Sequence, residues 1–274
     1  MMLLQLLKWT NDMSNQPRKH LVIPDTQVKP GVPLDHITAL GNYIVAKQPH
    51  VVVMIGDWAD MSSLCSYDYG KKVFEGRRYK ADVDASINAM YKLLSPITAY
   101  NKQQKKKGKK QYKPRMVLTL GNHEERINKA VDQDPKLEGV LSIDDLAYKE
   151  FGWEVVPFLQ PIVIDGVAYC HYFPTGVMGR PCTSARAMLT KMHMSCVAGH
   201  QQGRDIAYGK RADGTEITSI IAGSFYQHKE DYLSPMTNQH WRGIYVLHAV
   251  KDGAFDEMAV SLEYLKRKYG SHRA

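Results

Sequence analysis

The stretch Val51-Val52-Val53-Met54-Ile55-Gly56-Asp57-Trp58-Ala59-Asp60 runs from uninterrupted apolar residues into a glycine and two carboxylates. Its apolar part is too short for a helix and rich in valine, which predicts a strand buried on both faces. Upstream, His20 to Pro24 is a second apolar run ending at a turn-prone aspartate. Between the two, Leu34 to Gln48 places Ile37, Leu40, Tyr43 and Ile44 at helical spacing. Strand, helix and strand in that order predict a right-handed crossover between parallel neighbours.

Downstream, residues 58–80 are polar, aromatic and glycine-containing, and read as a long loop beside the strand end. Ala81 to Tyr100 reads as a helix with Val83, Ile87, Met90 and Leu94 on one face, which Pro96 kinks or shortens. The lysine-rich run that follows, with six lysines between Lys105 and Lys113, reads as a solvated basic loop insertion at about 101–114. Met116 to Leu120 is the next buried strand, Glu124 to Val131 opens a helix, and Ile143 to Phe151 reads as helical, closed by Gly152. The second half is richer in hairpins. Trp153 to Phe158, Gln160 to Ile164 and Val167 to Tyr172 read as strands, with Asp165-Gly166 as a tight turn. Thr183 to Met194 is helical. Cys196 to Ala198, Ile217 to Ala222, Gly243 to Val250 and Phe255 to Val260 complete the strands. A βαβ-rich first half and a hairpin-rich second half predict an α/β fold of two packed sheets with helices outside. No repeat or composition break divides the chain. The reading is one domain over 18–274 behind an N-terminal arm at 1–17.

The bulk numbers fit that reading. A chain of 274 residues with 44% hydrophobic and 23% charged residues builds a sizeable core. Its 36 basic against 28 acidic side chains give a net charge of +8, much of it in the lysine run, so charge alone does not make it a nucleic-acid binder. Cys65, Cys170, Cys182 and Cys196 form no paired framework and read as reduced thiols. Met1 to Trp9 is apolar but too short to span a bilayer, and it lacks a basic leader and a cleavage site. The expectation is a cytoplasmic protein without membrane attachment.

Chemistry concentrates at strand ends. Asp25-Thr26-Gln27, Gly56-Asp57-Trp58-Ala59-Asp60, Gly121-Asn122-His123-Glu124, His171 and Gly199-His200-Gln201-Gln202 each follow an apolar run. In open α/β sheets the carboxyl ends of strands form the ligand crevice, so these side chains should meet there. A single aspartate after a strand is usually a turn or a helix cap. Five such segments rich in aspartate, asparagine and histidine instead match a site for divalent cations. The close-spaced cysteine pairs of a structural zinc site are lacking.

The ordered pattern D-x-H, G-D-x-x-D, G-N-H-[ED], H and G-H-x-H belongs to the calcineurin-like metallophosphoesterases. This chain resembles that family over roughly residues 20–260, including Ile220-Ile221-Ala222-Gly223-Ser224 after the last motif. The resemblance implies a two-sheet sandwich flanked by helices, in four layers α/β/β/α, and two adjacent metal ions. By the same resemblance Asp57 bridges the ions, Asn122, His171 and His200 complete the second site, and Asp25 anchors the first. His123 corresponds to the histidine facing the substrate, and Asp60 to the carboxylate that orients it. Two cations roughly 3.5–4 Å apart would lower the pKa of a shared water, which then attacks phosphorus in line.

Two positions depart from the pattern. Gln27 and Gln202 stand where the family has histidines, and both of those serve the first metal. One reading is a first site built from Asp25, Asp57 and amide oxygens, favouring Mn²⁺ or Mg²⁺ over Zn²⁺ and binding weakly, with Fe also conceivable. The other is a first site without a cation of its own. His228 reads as a surface histidine rather than a replacement ligand. The glutamine variant resembles family members of bacteriophage genomes.

Arg77, Arg78 and Arg126 lie near the motifs and are candidate substrate-binding residues. Tyr67, Tyr69, Phe74 and Tyr79 interleave the basic residues of 67–80, a mixture suited to phosphate contact and base stacking. Cys170 adjoins His171 but alternates to the opposite strand face, so it reads as a buried thiol. The expected activity is a metal-dependent phosphoesterase, most specifically a phosphodiesterase, a nuclease among them, acting on nucleotides or nucleic acid. The alternatives are a phosphomonoesterase on a small molecule or phosphoprotein, and a nucleic-acid-binding protein without turnover.

Overall fold

Both faces of the Val51 strand are covered because it lies in the middle of a layered structure. The computed structural model describes residues 16–230 and 240–270. Strands β1 (Arg18–Ile23), β2 (Val51–Met54), β3 (Arg115–Thr119) and β4 (Glu154–Val156) run parallel and side by side. Between them lie helices α1 (Asp35–Lys47), α2 (Tyr79–Lys106) and α3 (Glu125–Gln133). The second sheet holds β5 (Ile162–Ile164), β6 (Val167–Cys170), β7 (Cys196–Ala198), β8 (Arg204–Lys210) and β9 (Glu216–Ala222), in the order β5-β6-β7-β9-β8. Helix α4 (Ala185–Met192) crosses between β6 and β7, which are parallel. The chain then returns to the first sheet. β10 (Gly243–Lys251) pairs antiparallel with β1, β11 (Ala254–Ser261) pairs with β10, and α5 (Leu262–Tyr269) follows. The first sheet thus reads β11-β10-β1-β2-β3-β4.

Strand alternation sorts the apolar side chains into layers. Leu21, Ile23, Val52, Met54 and Leu118 pack with residues of α1, α2, α3 and α5 on the outer face of the first sheet. Val22, Val51, Val53 and Val117 face inward and meet Ile164, Tyr169, Val197 and Ile220 of the second sheet. Ala168, Cys170, Cys196 and Ile221 point outward again, against Met188 and Leu189 of α4. The result is the four-layer α/β/β/α sandwich. Each fully buried valine or leucine contributes roughly 1.5–3 kcal/mol, and the inter-sheet layer is built largely of such residues.

Several local expectations give way. The first half of the lysine run is helical, because α2 continues to Lys106. Pro96 lies inside that helix, and the Ser95 hydroxyl donates to the Lys92 carbonyl that proline leaves without its helical partner. Ile143 to Phe151 is one short 3₁₀ turn, Ile143–Leu146, followed by further turns. The Ser142–Asp145 capping box starts that turn, and Ala147 in the left-handed region ends it. Strand β8 and helix α5 have no counterpart in the sequence reading. β8 alternates little because it is an edge strand with most side chains exposed. Among the described residues no helix is long and apolar enough to cross a membrane. The arm expected at 1–17 lies, but for its last two residues, outside the described residues.

Candidate metal centre

The loops after β1, β2, β3, β6 and β7 open on one end of the sandwich, where the two sheets' parallel strands terminate. The first two are zipped together. Thr26 and Gln27 donate backbone N–H groups to the Asp57 carbonyl at 3.0 and 2.8 Å, and Asp60 N donates to the Val28 carbonyl at 2.8 Å. Asp57, Gln27, His200 and Gln202 all take positive φ, a conformation that side-chain-bearing residues rarely adopt and that clusters here at the strand ends.

Glycines precede the acidic, amide and imidazole residues for a steric reason. A Cβ on Gly121 would sit 2.1 Å from Asp57 Oδ1, and one on Gly199 would sit 2.4 Å from Asp25 Oδ1. The carboxylates lie flat against bare backbone, which brings five loops within reach of one point.

At that point Asp57, His171 and His200 present donor atoms all within 4.8 Å of one another. Asn122 Oδ1 lies 2.8 Å from both His171 Nε2 and His200 Nδ1, and these two nitrogens are 3.3 Å apart. Asp57 Oδ2 is 3.3 Å from His171 Nε2. His171 Nδ1 faces the Ile55 carbonyl at 2.9 Å, so it carries the proton there and directs Nε2 into the cluster. Tyr172 packs its ring 4.8 Å from that of His200.

Such close lone pairs need positive charge between them. Burial opposes protonation of His171, yet Asp57 draws its pKa up to about 9. Burial and the His171 charge push His200 down to about 4. Burial raises the Asp57 carboxyl, but His123 and His171 outweigh it and hold it well below the usual range. Burial, reinforced by Asp57, takes Asp25 up to about 7. A divalent cation would relieve the same crowding without protons.

The residues fit such a cation by a second test. Asp25 is wholly buried. Its Oδ1 accepts from His200 N at 3.0 Å, while its Oδ2 has no hydrogen-bond partner. Gln27 is also wholly buried, and neither its Oε1 nor its Nε2 is bonded. Orphaned buried polar atoms are costly, about 1–3 kcal/mol each, and these belong to the residues expected at the first site. Gln202 is placed differently: its Oε1 accepts from the Tyr226 hydroxyl at 2.7 Å. The donor set of carboxylates, amide and imidazoles suits a divalent transition metal.

His123 stands on the other side of Asp57. Its backbone N–H donates to Asp57 Oδ1 at 2.9 Å, and its Nε2 lies 3.7 Å from Asp57 Oδ2. Nδ1 donates its hydrogen to Asp60 Oδ1 at 2.8 Å, so the Asp60 carboxylate accepts from the ring and orients it. Burial disfavours the charged ring, but Asp57 and Asp60 raise its pKa overall. Arg126 donates Nη1–H to the Asp60 carbonyl at 2.7 Å and brings Nη2 to 3.3 Å from His123 Nε2. Arg77 is farther along the same cleft and is held by Asp68 at 2.8 Å and the Ser62 carbonyl at 3.0 Å. Arg78 turns away. It is exposed, bonds the Arg77 carbonyl at 2.8 Å and does not line the cleft.

Sequence reasoning gave no role to Glu124, Lys29 or Glu230. Glu124 accepts from Asp57 N, Ala59 N and Gly121 N at 2.9–3.0 Å and from the Tyr148 hydroxyl at 3.2 Å. Lys29 reaches Asp60 Oδ2 at 3.6 Å and Glu230 Oε2 at 2.8 Å. His228 is not a surface histidine, since it pairs with Glu230 and stacks on Tyr226 at 4.6 Å. Only Glu124 carried a signal, by its place in Gly121-Asn122-His123-Glu124. Cys170 is buried, donates to the Tyr172 carbonyl and has its pKa pushed up to about 12 by burial.

No protein-family model matches the chain, and no curated protein sequence does. Among solved structures, a dimetal phosphatase from Danio rerio aligns at 10% identity and a TM-score of 0.35, covering 90% of this chain and 100% of that one. TT1561 of Thermus thermophilus aligns at 6% identity and a TM-score of 0.32, covering 89% and 99%. Likeness at this level transfers no residue role, so the reading of the site rests on its own geometry.

Proposed function

We propose that this chain is a metal-dependent phosphoesterase, and within that class a phosphodiesterase acting on nucleotides or nucleic acid. One observation carries the reading: Asp57, Asn122, His171 and His200 converge on one point, with the His123–Asp60 pair standing beside it. A structural cation site has no use for an oriented histidine next to its ligands. The motif resemblance to calcineurin-like metallophosphoesterases supports the same class.

Asp57, Asn122, His171 and His200 would hold one cation, and Asp25 with Asp57 and Gln27 would hold a second, more weakly. Cations bound there would polarise the phosphoryl oxygens and lower the pKa of water. The remaining chemistry belongs to side chains. Asp60 fixes the His123 ring so that Nε2 faces the cluster, where it can give a proton to the departing ester oxygen. Arg126, beside that nitrogen, offers its guanidinium to a phosphate oxygen of the substrate. Asp25 pins the His200 backbone, which sets the direction of that imidazole.

The preference for nucleotide diesters is supported by the basic, aromatic loop beside the cleft, whose rings suit bases and whose cations suit a phosphate backbone, and the net charge of +8 suits a polyanionic substrate. The test compares Mn²⁺-dependent hydrolysis of an aryl phosphodiester with that of the matching monoester. Faster diester turnover supports the reading, and faster monoester turnover moves the protein to the phosphatases. Hydrolysis of neither with Mn²⁺, Mg²⁺, Fe²⁺ or Zn²⁺, alongside salt-sensitive oligonucleotide binding, would leave a binding protein.

A further inference from the structure

Tyr67 and Tyr69 are 84% and 79% exposed, an unusual position for two aromatic side chains on one short loop. The loop is braced. Tyr69 meets Phe74 edge-on at 5.7 Å, and the Arg77 guanidinium lies 5.9 Å over the Phe74 ring. Arg77 is anchored in turn by Asp68 and Ser62, while Asp82 accepts from Ser62 Oγ at 3.2 Å and Ser63 N at 2.8 Å. The Tyr69 ring is therefore presented to solvent from a braced base, with the Tyr67 ring exposed two residues before it.

Charge around them is mostly positive. Residues 67–80 contain Lys71, Lys72, Arg77, Arg78 and Lys80 against Asp68 and Glu75. The same loop walls a cleft of about 190 Å³ that runs from Lys71 and Val73 to Lys29, Asp60 and Arg126. Tyr67 and Tyr69 stand on the loop just outside this cleft, flanking Asp68 of its wall, and at the far end Arg126 touches His123.

We propose that Tyr67 and Tyr69 form a stacking platform for the bases of a single-stranded nucleic acid, whose backbone passes Lys71 and Arg126 towards His123. Exposed aromatic faces accept any base, and the interleaved cations match a phosphate backbone. Duplex bases are already stacked on each other and offer no free face, so the platform selects single strands. The proposal deepens the phosphoesterase reading and rests on it for the fate of the bound strand. An apolar protein partner or a membrane surface fits less well, because five cations lie among the rings.

The test is fluorescence anisotropy of a labelled oligothymidylate of about a dozen residues, with EDTA present so that nothing is cleaved. The full chain should bind it more tightly than a duplex of equal length. Replacing Tyr67→Ala with Tyr69→Ala should weaken binding at least about 10-fold, and Tyr67→Phe with Tyr69→Phe should restore it. Lys71→Ala with Lys72→Ala should flatten the salt dependence. Unchanged binding in the double alanine variant overturns the platform. So does a preference for duplex, or binding to anionic vesicles without binding to the oligonucleotide. Aryl diester hydrolysis by the unaltered chain is read separately. Its failure alongside tyrosine-dependent binding removes the phosphoesterase reading and leaves the platform. Its success alongside tyrosine-independent binding does the reverse.

Discussion

The carboxylate of Glu124 takes the backbone N–H of Asp57 at 3.0 Å, across 67 positions of sequence. It also takes Gly121 N and Ala59 N, so one buried side chain ties the loop carrying Asp57 to the loop carrying Asn122. Glu124 is fully buried; burial and the Asp57 charge raise its pKa, and its four donors offset part of that penalty.

Glu124→Gln keeps the shape but turns an amide NH₂ against backbone donors. Stability should fall by about 1–3 kcal/mol, and Mn²⁺ affinity should drop roughly 10–100-fold as Asp57 and Asn122 lose their fixed spacing. Urea unfolding and calorimetric Mn²⁺ titration read the two effects. Unchanged affinity would confine Glu124 to a folding role.

His123→Ala should lower aryl diester turnover by roughly 10²–10⁴-fold and leave Mn²⁺ binding intact, because the ring faces the cluster without belonging to it. Asp60→Asn should fall between that variant and the unaltered chain, since the ring would keep a partner but lose its charge. Equal rates in all three proteins would take His123 out of the reaction.

Gln27 and Gln202 predict an asymmetric response to restored imidazoles. Gln27 has unbonded amide atoms in a wholly buried position, whereas Gln202 is held by Tyr226. Gln27→His should therefore tighten Zn²⁺ at the weaker site more than Gln202→His does, and the pair should tighten it most. Competitive metal titration checks this; identical titrations would show that neither position faces a cation.

Away from the site, His36 is buried beneath Phe225, its Nδ1 accepting from the Gln227 amide at 2.8 Å. Burial takes its pKa from 6.5 to about 4, only partly offset by Asp35. The unfolded chain thus binds a proton that the folded chain refuses, and stability is lost as pH falls from 6.5 towards 4. The loss from this group should reach roughly 3 kcal/mol. Chemical denaturation across that range should show it, with a shallower slope in His36→Leu. An equal slope in both would place the proton elsewhere, with buried His20, also lowered by burial, the next group to examine.

The parts of the fold that were legible are those where burial leaves a periodic trace. Val51–Met54 and Arg115–Thr119 announce themselves because both faces are covered, and Asp57, Asn122, His171 and His200 because each ends such a run. Strand β8 escaped because an edge strand with exposed side chains needs no apolar pattern. The 3₁₀ turn at Ile143 escaped because its capping box opens a longer helix equally well. Arg126 was visible from its spacing after His123, but Arg78 beside Arg77 was not separable from it, since sequence does not say which of two adjacent cations turns outward. Lys29 and Glu230 pair across 201 positions and leave no local signal at all.

The central claim is that Asp57, Asn122, His171 and His200 share one cation, and pulsed electron paramagnetic resonance of bound Mn²⁺ addresses it without any substrate. The unaltered chain should show imidazole nitrogen coupling to the manganese. His171→Ala with His200→Ala should abolish that coupling, and Asp57→Ala should abolish tight Mn²⁺ binding. Manganese bound equally tightly by all three proteins, with the same nitrogen coupling or none, would contradict the account.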